Sequence, residues 1–437
     1  MELVVVFVIF SAGMAVSLLL GISMLVPLVI GFVLFTVLAR RRGFSLKQVL
    51  GFAAGSLKES FIVVGILLLI GCLTGTWRLS GTVAYFVSLG VSLIPPAFFL
   101  PSAFLLSALM SYALGTSFGV TATAGVILMS IARAGGVDPV LAAGAIFSGV
   151  YVGDRGSPAA SSANLVAVVT HTDMRENVRA TLRCSVVPFL LTLALYTALS
   201  PLFPMREADS PVSAALAEQF TLTWPCILPA VIMLILPFCG LKIKLSMALS
   251  LVSSVAVAML VQHASIIDCL LTMLSGYAAP SGSLSETLSG GGIVSMLEIC
   301  GILIISCSFG SIFENTGLLD PVTDAVGRLA RRCGRFAAML LLAVGVSALF
   351  CNQTIGIIMQ NDLSAGLYGK DEGHAKMLDT ENSVILIAGL VPWCIASSVP
   401  RAMLGVGSGA ILAGFYLWFV PIWWYFRTCK CKKPVVK

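Results

Sequence analysis

Apolar runs long enough to cross a bilayer recur along the chain, separated by short polar or basic stretches. They fall near residues 2–20, 22–39, 57–77, 97–114, 119–134, 184–201, 223–239, 245–262, 294–317, 336–350, 380–398 and 403–427. Strand alternation is weak and Leu, Ala and Ile are abundant, so the runs predict helices rather than a barrel. The expected fold is an all-α integral membrane protein with about 11–13 transmembrane segments, several of them short or broken. Met1 is followed by Glu2 and then by the apolar run, with no basic signal-peptide start, so the first span is expected to be an uncleaved anchor.

Composition agrees. Of 437 residues, 58% are hydrophobic and 11% charged, and the mean hydropathy is +1.02. Soluble domains carry about a quarter charged residues, so these few could not cover a soluble surface. The net charge of +6 is no nucleic-acid signal, because the basic residues lie in short loops. They are Arg40, Arg41, Arg42 and Lys47; Arg175, Arg179 and Arg183; Lys242 and Lys244; Arg328, Arg331, Arg332 and Arg335; and the tail from Arg427 to Lys437. Basic loops face the cytoplasm. Both termini are therefore expected inside, with the chain multi-pass in the cell's inner membrane. Most of the cysteines, such as Cys72, Cys239, Cys269 and Cys307, fall in apolar spans as small filler. Cys429 and Cys431 are either a palmitoylation site or a reduced, unmodified pair. No cofactor and no structural zinc are expected.

The polar stretch Phe203 to Thr223 divides two segments that resemble each other. Gly65-Ile66-Leu67 recurs as Gly301-Ile302-Leu303, an offset of 236 residues. At the same offset Leu105, Leu106 and Ser111 meet Leu341, Leu342 and Ser347, and Ala160-Ser161-Ser162 meets Ala396-Ser397-Ser398. The expected layout is an N-terminal hairpin over 1–55, a first transport repeat over 56–202 and a linker with connecting helices over 203–290. A second repeat over 291–427 and a basic tail over 428–437 complete it. Loop charge has the span at 57–77 starting inside and the span at 294–317 ending inside, so the repeats are expected to be inverted. Inverted repeats with a site at their interface are a recurring design of secondary transporters.

Such transporters interrupt helices at mid-membrane, where freed backbone groups line a cavity. The stretch Ser148 to Val169 holds Gly149, Gly153, Gly156 and Pro158, residues that interrupt helices. It also holds Asp154 with Ser157, Ser161, Ser162 and Asn164, oxygen ligands suited to Na⁺. A carboxylate that alternately binds Na⁺ and a proton would couple the two, which makes Asp154 the candidate sodium ligand and proton carrier. The second break of that half is Gly115 to Gly119, with Thr116 and Ser117. Its partner at the same offset is Cys351 to Ile355, with Asn352 and Gln353. The partner of the Asp154 stretch is Gly389 to Ser398, and Glu381 starts that span. Other readings stay open. Asp154 and Arg155 also fit a loop-end ion pair, Thr116 and Ser117 also fit bonds to their own helix, and Glu381 also fits a helix N-terminal charge. Glu314 reads equally as an interfacial residue, and His171, His263 and His374 fall near loops without a site role.

Two enzyme motifs are decoys. Gly115 to Gly119 matches G-x-S-x-G, but it joins two apolar helices and has no histidine partner nearby. Gly153-Asp154 matches part of an intramembrane aspartyl protease motif, yet Val152 stands where that motif wants glycine and no Tyr-Asp pair supplies a second acid. The protease remains a minor alternative, and no enzyme is expected.

The stretches ILLLIGCLTGTWRLSGTVAY (66–85), LGTSFGVTATAGV (114–126), AGAIFSGVYVGDRGSP (143–158), ANLVAV (163–168), SFGSIFENTGLL (308–319) and GLVPW (389–393) resemble the NhaC-type sodium/proton antiporters. The resemblance covers about residues 60 to 405. It implies re-entrant hairpins in inverted repeats, alternating access, often a dimer, and exchange of cytoplasmic Na⁺ for external H⁺. Three acids of the family pattern are neutral here, at Ser161, Asn352 and Asn382, while Asp154 and Glu381 remain. Each missing carboxylate removes a possible proton carrier. The alternative function is therefore Na⁺- or proton-coupled transport of a small amino or hydroxy acid, with Arg155 or Arg401 meeting its carboxylate.

Overall fold

The computed structural model describes residues 2–55, 57–205, 216, 218–279, 288–316, 320–369 and 371–429. Much of the polar divider and the tail from 430 lie outside the described residues. Among those described the chain is helical, with one isolated antiparallel bridge between Tyr277 and Gly290 and no strand.

The helices of the N-terminal part are α1 (Glu2–Leu20), α2 (Leu25–Arg41) and α3 (Leu46–Gly55). The first half continues with α4 (Leu57–Leu79), α5 (Thr82–Leu93) and α6 (Phe99–Leu114). After these come α7 (Ser117–Ala134), α8 (Pro139–Gly156), α9 (Ser161–Thr170) and α10 (Met174–Leu199). The connecting helices are α11 (Leu228–Phe238), α12 (Ile243–Leu260) and α13 (Ile266–Ser275). The second half holds α14 (Leu297–Thr316), α15 (Asp320–Cys333), α16 (Arg335–Phe350) and α17 (Gln353–Leu363). It ends with α18 (Gly373–Glu381), α19 (Val384–Leu390), α20 (Ile395–Leu404) and α21 (Phe415–Cys429).

Four helical segments of the described residues are long and apolar enough to cross a membrane singly: Pro96–Leu114, Ser117–Ala134, Met174–Leu202 and Val294–Phe313. Two bent pairs raise this to six, Val63–Leu79 with Thr82–Gly90 at 66° and Gly373–Leu390 with Ile395–Leu404 at 49°. Several expected spans are shorter apolar helices, among them Arg335–Phe350 and Lys244–Leu260. The runs expected at 380–398 and 403–427 are each divided, the first between α19 and α20 and the second between α20 and α21.

The two halves share their elements at the sequence offset. Phe99 and Leu114 bound α6, and Arg335 and Phe350, 236 residues on, bound α16. Each helix ends on a left-handed residue, Gly115 at φ 66° and Cys351 at φ 52°. The N–H of each bonds back, to Ser111 O and to Ser347 O. The next residue is extended in both halves, Thr116 at φ −147° and Asn352 at φ −136°, and its side chain caps the following helix. Glycine is the usual left-handed helix end, and Cys351 holds that conformation with a side chain.

The expectation that Gly149 and Gly153 interrupt a helix is corrected. The helix α8 runs through both and ends on Gly156, and the break comes only at Ser157 to Ala160. The two glycines instead let α6 and α8 touch. A Cβ on Gly153 would sit 2.0 Å from the Ser111 carbonyl carbon, and one on Gly149 would sit 2.5 Å from Phe104 O. Gly-x-x-x-Gly spacing is a recurrent close-packing device between membrane helices. The α6–α8 contact is the most extensive between any two helices described.

Candidate functional site

Asp154 sits in the last turn of α8, buried. Ser117 Oγ donates to its Oδ1 at 3.2 Å, and Gln353 Nε2 donates to its Oδ2 at 3.0 Å. Ser117 and Gln353 are the first residues of α7 and α17, and they occupy equivalent positions of the two halves. The carboxylate is thus clasped by one donor from each half, at two helix N-termini whose dipoles favour negative charge. Local chemistry builds both termini. Thr116 Oγ1 accepts from Gly119 N at 3.1 Å, and Asn352 Oδ1 accepts from Thr354 N at 2.9 Å and Ile355 N at 3.4 Å. Just below Ser117, residues Thr121–Gly125 form one π-helical turn, a feature frequent at functional sites.

The loop after Asp154 is folded on itself. Ser162 Oγ donates to the Asp154 carbonyl oxygen. Ser157 is buried and accepts from Ala159 N at 3.1 Å. Asn164 Nδ2 donates to Pro158 O at 3.0 Å and Ala160 O at 2.7 Å, and Asn164 and Ser161 are exposed. These residues shape the break after α8, whereas the direct side-chain partners of the Asp154 carboxylate are Ser117 and Gln353.

Arg155 is also buried, but points elsewhere. Its Nη1 donates to Ser185 Oγ at 2.9 Å and Tyr416 OH at 3.0 Å. Its Nη2 donates to Asn382 Oδ1 at 2.6 Å and to Cys184 Sγ at 3.6 Å. Asp154 and Arg155 therefore form no loop-end ion pair; each is held by different elements. Glu381 ends α18, fully buried, within electrostatic range of Asp154 and Arg155, and its Oε2 has no hydrogen-bond partner. It is not an N-terminal helix charge, because the chain turns at Asn382 and Ser383 before α19 begins.

Arg401 is apart from this cluster. Its Nη2 donates to Pro392 O, its Nε is buried without a partner, and it lines a cavity of about 440 Å³ with Ser23, Glu298 and Ser408. Glu314's side chain lies outside the described residues. No cluster of His, Cys, Asp and Glu fit for a metal occurs among the described residues.

Several site residues carry no motif. Tyr416 and Ser185 hold Arg155, and Tyr151 OH donates to Ala396 O at 2.8 Å, tying α8 to the second half's break. Ile385 O, 3.1 Å away, fixes Gln353. Only a buried tyrosine hydroxyl, which must find a partner, hinted at the two tyrosines.

A buried carboxylate held between two helix breaks of a helical membrane bundle is the apparatus of a membrane-embedded secondary transporter. The chain belongs to the Na⁺/H⁺ antiporter family, whose sequence model matches residues 149–410. It is 26% identical over 433 residues to the malate-2H⁺/Na⁺-lactate antiporter of Bacillus subtilis, covering 95% of this chain and 92% of that one. It is 26% identical over 391 residues to the Na⁺/H⁺ antiporter NhaC of Alkalihalophilus pseudofirmus, covering 87% and 84%. It is 26% identical over 403 residues to the arginine/ornithine antiporter ArcD of Halobacterium salinarum, covering 89% and 82%.

Proposed function

We propose that this protein exchanges Na⁺ for H⁺ at Asp154 by alternating access. The observation that carries the reading is the clasp on Asp154 by Ser117 and Gln353, one residue from each half. A carboxylate so placed binds either Na⁺ or a proton, and relative movement of the halves exposes it to one side and then the other. Thr116, Asn352, Ser157, Ser161, Ser162 and Asn164 shape the breaks and offer further oxygens, and Glu381 is the second acid. The repeats are inverted in this reading, both termini are cytoplasmic, and a homodimer in the cell membrane is the working assembly. The test is a Na⁺ pulse on proteoliposomes carrying a pH dye inside. Na⁺-driven proton movement in the wild type, lost in Asp154→Asn, supports the reading. Proton movement that survives in Asp154→Asn removes Asp154 from the site.

The second reading is coupled transport of a small amino or hydroxy acid. Two of the relatives named above carry organic solutes by name, and Arg401 offers an unpartnered Nε beside a cavity. Arg155 has less to offer a substrate carboxylate, since its Nη groups are engaged. Uptake of a labelled hydroxy acid or amino acid that depends on Na⁺, in vesicles showing no proton movement on a Na⁺ pulse alone, would favour it.

A further inference from the structure

Three ionisable side chains are buried, Asp154 at 5% exposure, Arg155 at 1% and Glu381 at 1%, and Glu381 lies within electrostatic range of the other two. The groups that accept from Arg155 are all uncharged: Ser185, Tyr416, Cys184 and Asn382. The shortest of these bonds, 2.6 Å, goes to the amide oxygen of Asn382, which supplies a lone pair and no charge. Asp379, on the same helix as Glu381, is already held, by Arg335 Nε at 3.4 Å, Tyr368 OH at 2.8 Å and Trp424 Nε1 at 2.7 Å. The guanidinium of Arg155 stays charged at every working pH. Unbalanced charge out of water costs several kcal/mol per ion. Two carboxylates and one guanidinium leave a single net negative charge, and one Na⁺ or one proton cancels it.

We propose that Arg155 is the fixed counter-charge of the transport site, so that the site loads one monovalent cation at a time and exchanges Na⁺ for H⁺ one for one, with no net charge moved. The inference rests on the antiport reading above. Arg155 acts through the charge balance of Asp154 and Glu381, as a positioning residue.

The test locates the point of balance in proteoliposomes. A tenfold H⁺ gradient is imposed, the Na⁺ gradient is varied until net proton movement stops, and K⁺ with valinomycin sets the membrane potential. One-for-one exchange balances at a tenfold Na⁺ gradient, at zero potential and at 100 mV alike. Two protons per Na⁺ would balance at a hundredfold gradient, and 100 mV would move that point by about 50-fold, the equivalent of about 2.3 kcal/mol per charge. That result overturns the proposal. In Arg155→Gln the site carries one more negative charge and needs two monovalent cations for balance, so the Hill coefficient of initial flux against Na⁺ is expected to rise from about one toward two, while Arg155→Lys restores the wild-type value. An unchanged Hill coefficient of about one in Arg155→Gln also overturns it. If Arg155→Gln does not fold, the wild-type balance point decides alone. Absence of any Na⁺-driven proton movement is distinguishable, since no balance point exists, and it refutes the antiport reading and this count with it.

Discussion

Placing a methyl group on Gly153 tests how firmly the α6–α8 contact holds the site. Its Cβ would stand 2.0 Å from the Ser111 carbonyl carbon, 2.3 Å from Ser111 O and 2.3 Å from Tyr112 N. All three are backbone atoms, so no side chain can turn aside. Ordinary contact begins at 3.4 Å, so the two helices must part by roughly 1 Å or more. Overpacking of this kind costs about 1–3 kcal/mol of stability. The displacement falls on the residue next to Asp154, and about 1 Å of misplacement at a working site costs on the order of 100-fold in activity. Gly153→Ala is therefore expected to lower the thermal midpoint in detergent and to cut Na⁺-driven proton flux by one to two orders of magnitude. Gly65→Ala is the control, because a Cβ there meets nothing within 4 Å; it should leave flux unchanged. Wild-type flux and stability in Gly153→Ala would refute the argument that this close approach positions Asp154.

Other outcomes follow from single contacts. Gln353→Leu removes one donor to the Asp154 carboxylate, worth about 1.5–3 kcal/mol for a bond to a charged group. Donors favour the ionised form, so their loss favours the proton, and the pH of half-maximal flux should move about one to two units toward alkaline. Asp379→Asn removes one of the two acids paired with Arg335, the other being Glu372, and weakens the bonds that Tyr368 OH and Trp424 Nε1 donate to it; it should lower stability by about 1.5–3 kcal/mol in thermal unfolding. Ser250→Ala leaves the buried Trp77 indole N–H, now bonded at 3.0 Å, without an acceptor. A loss of about 1–3 kcal/mol is expected, with transport retained.

Much of this architecture is legible in the residues. The offset between Ser111 and Ser347 predicts equivalent breaks, and the structure places them at Gly115 and Cys351. The Gly389 to Ser398 run reads as a break, and the structure breaks it at Val391 to Cys394, with Gly389 still helical. The glycines of α8 misled, because Gly149 and Gly153 serve close helix contact, and a single sequence does not distinguish that use from a kink. Polar residues in an apolar run mark the neighbourhood of the site. Which of them reach the carboxylate depends on packing between halves, so Ser117 and Gln353 stand with Thr116 and Asn352 until the fold separates donors from caps. Tyr416 and Ser185 come to Arg155 from α21 and α10, distant in sequence and unmarked by any motif.

The central claim is that Asp154 carries the exchanged cation. The most direct measurement is the internal pH of proteoliposomes after an external Na⁺ pulse, with wild-type protein and with Asp154→Asn shown to be folded by its elution and melting. The account predicts a Na⁺-dependent pH change in the wild type and none above empty vesicles in the variant. Equal pH changes in both would contradict it.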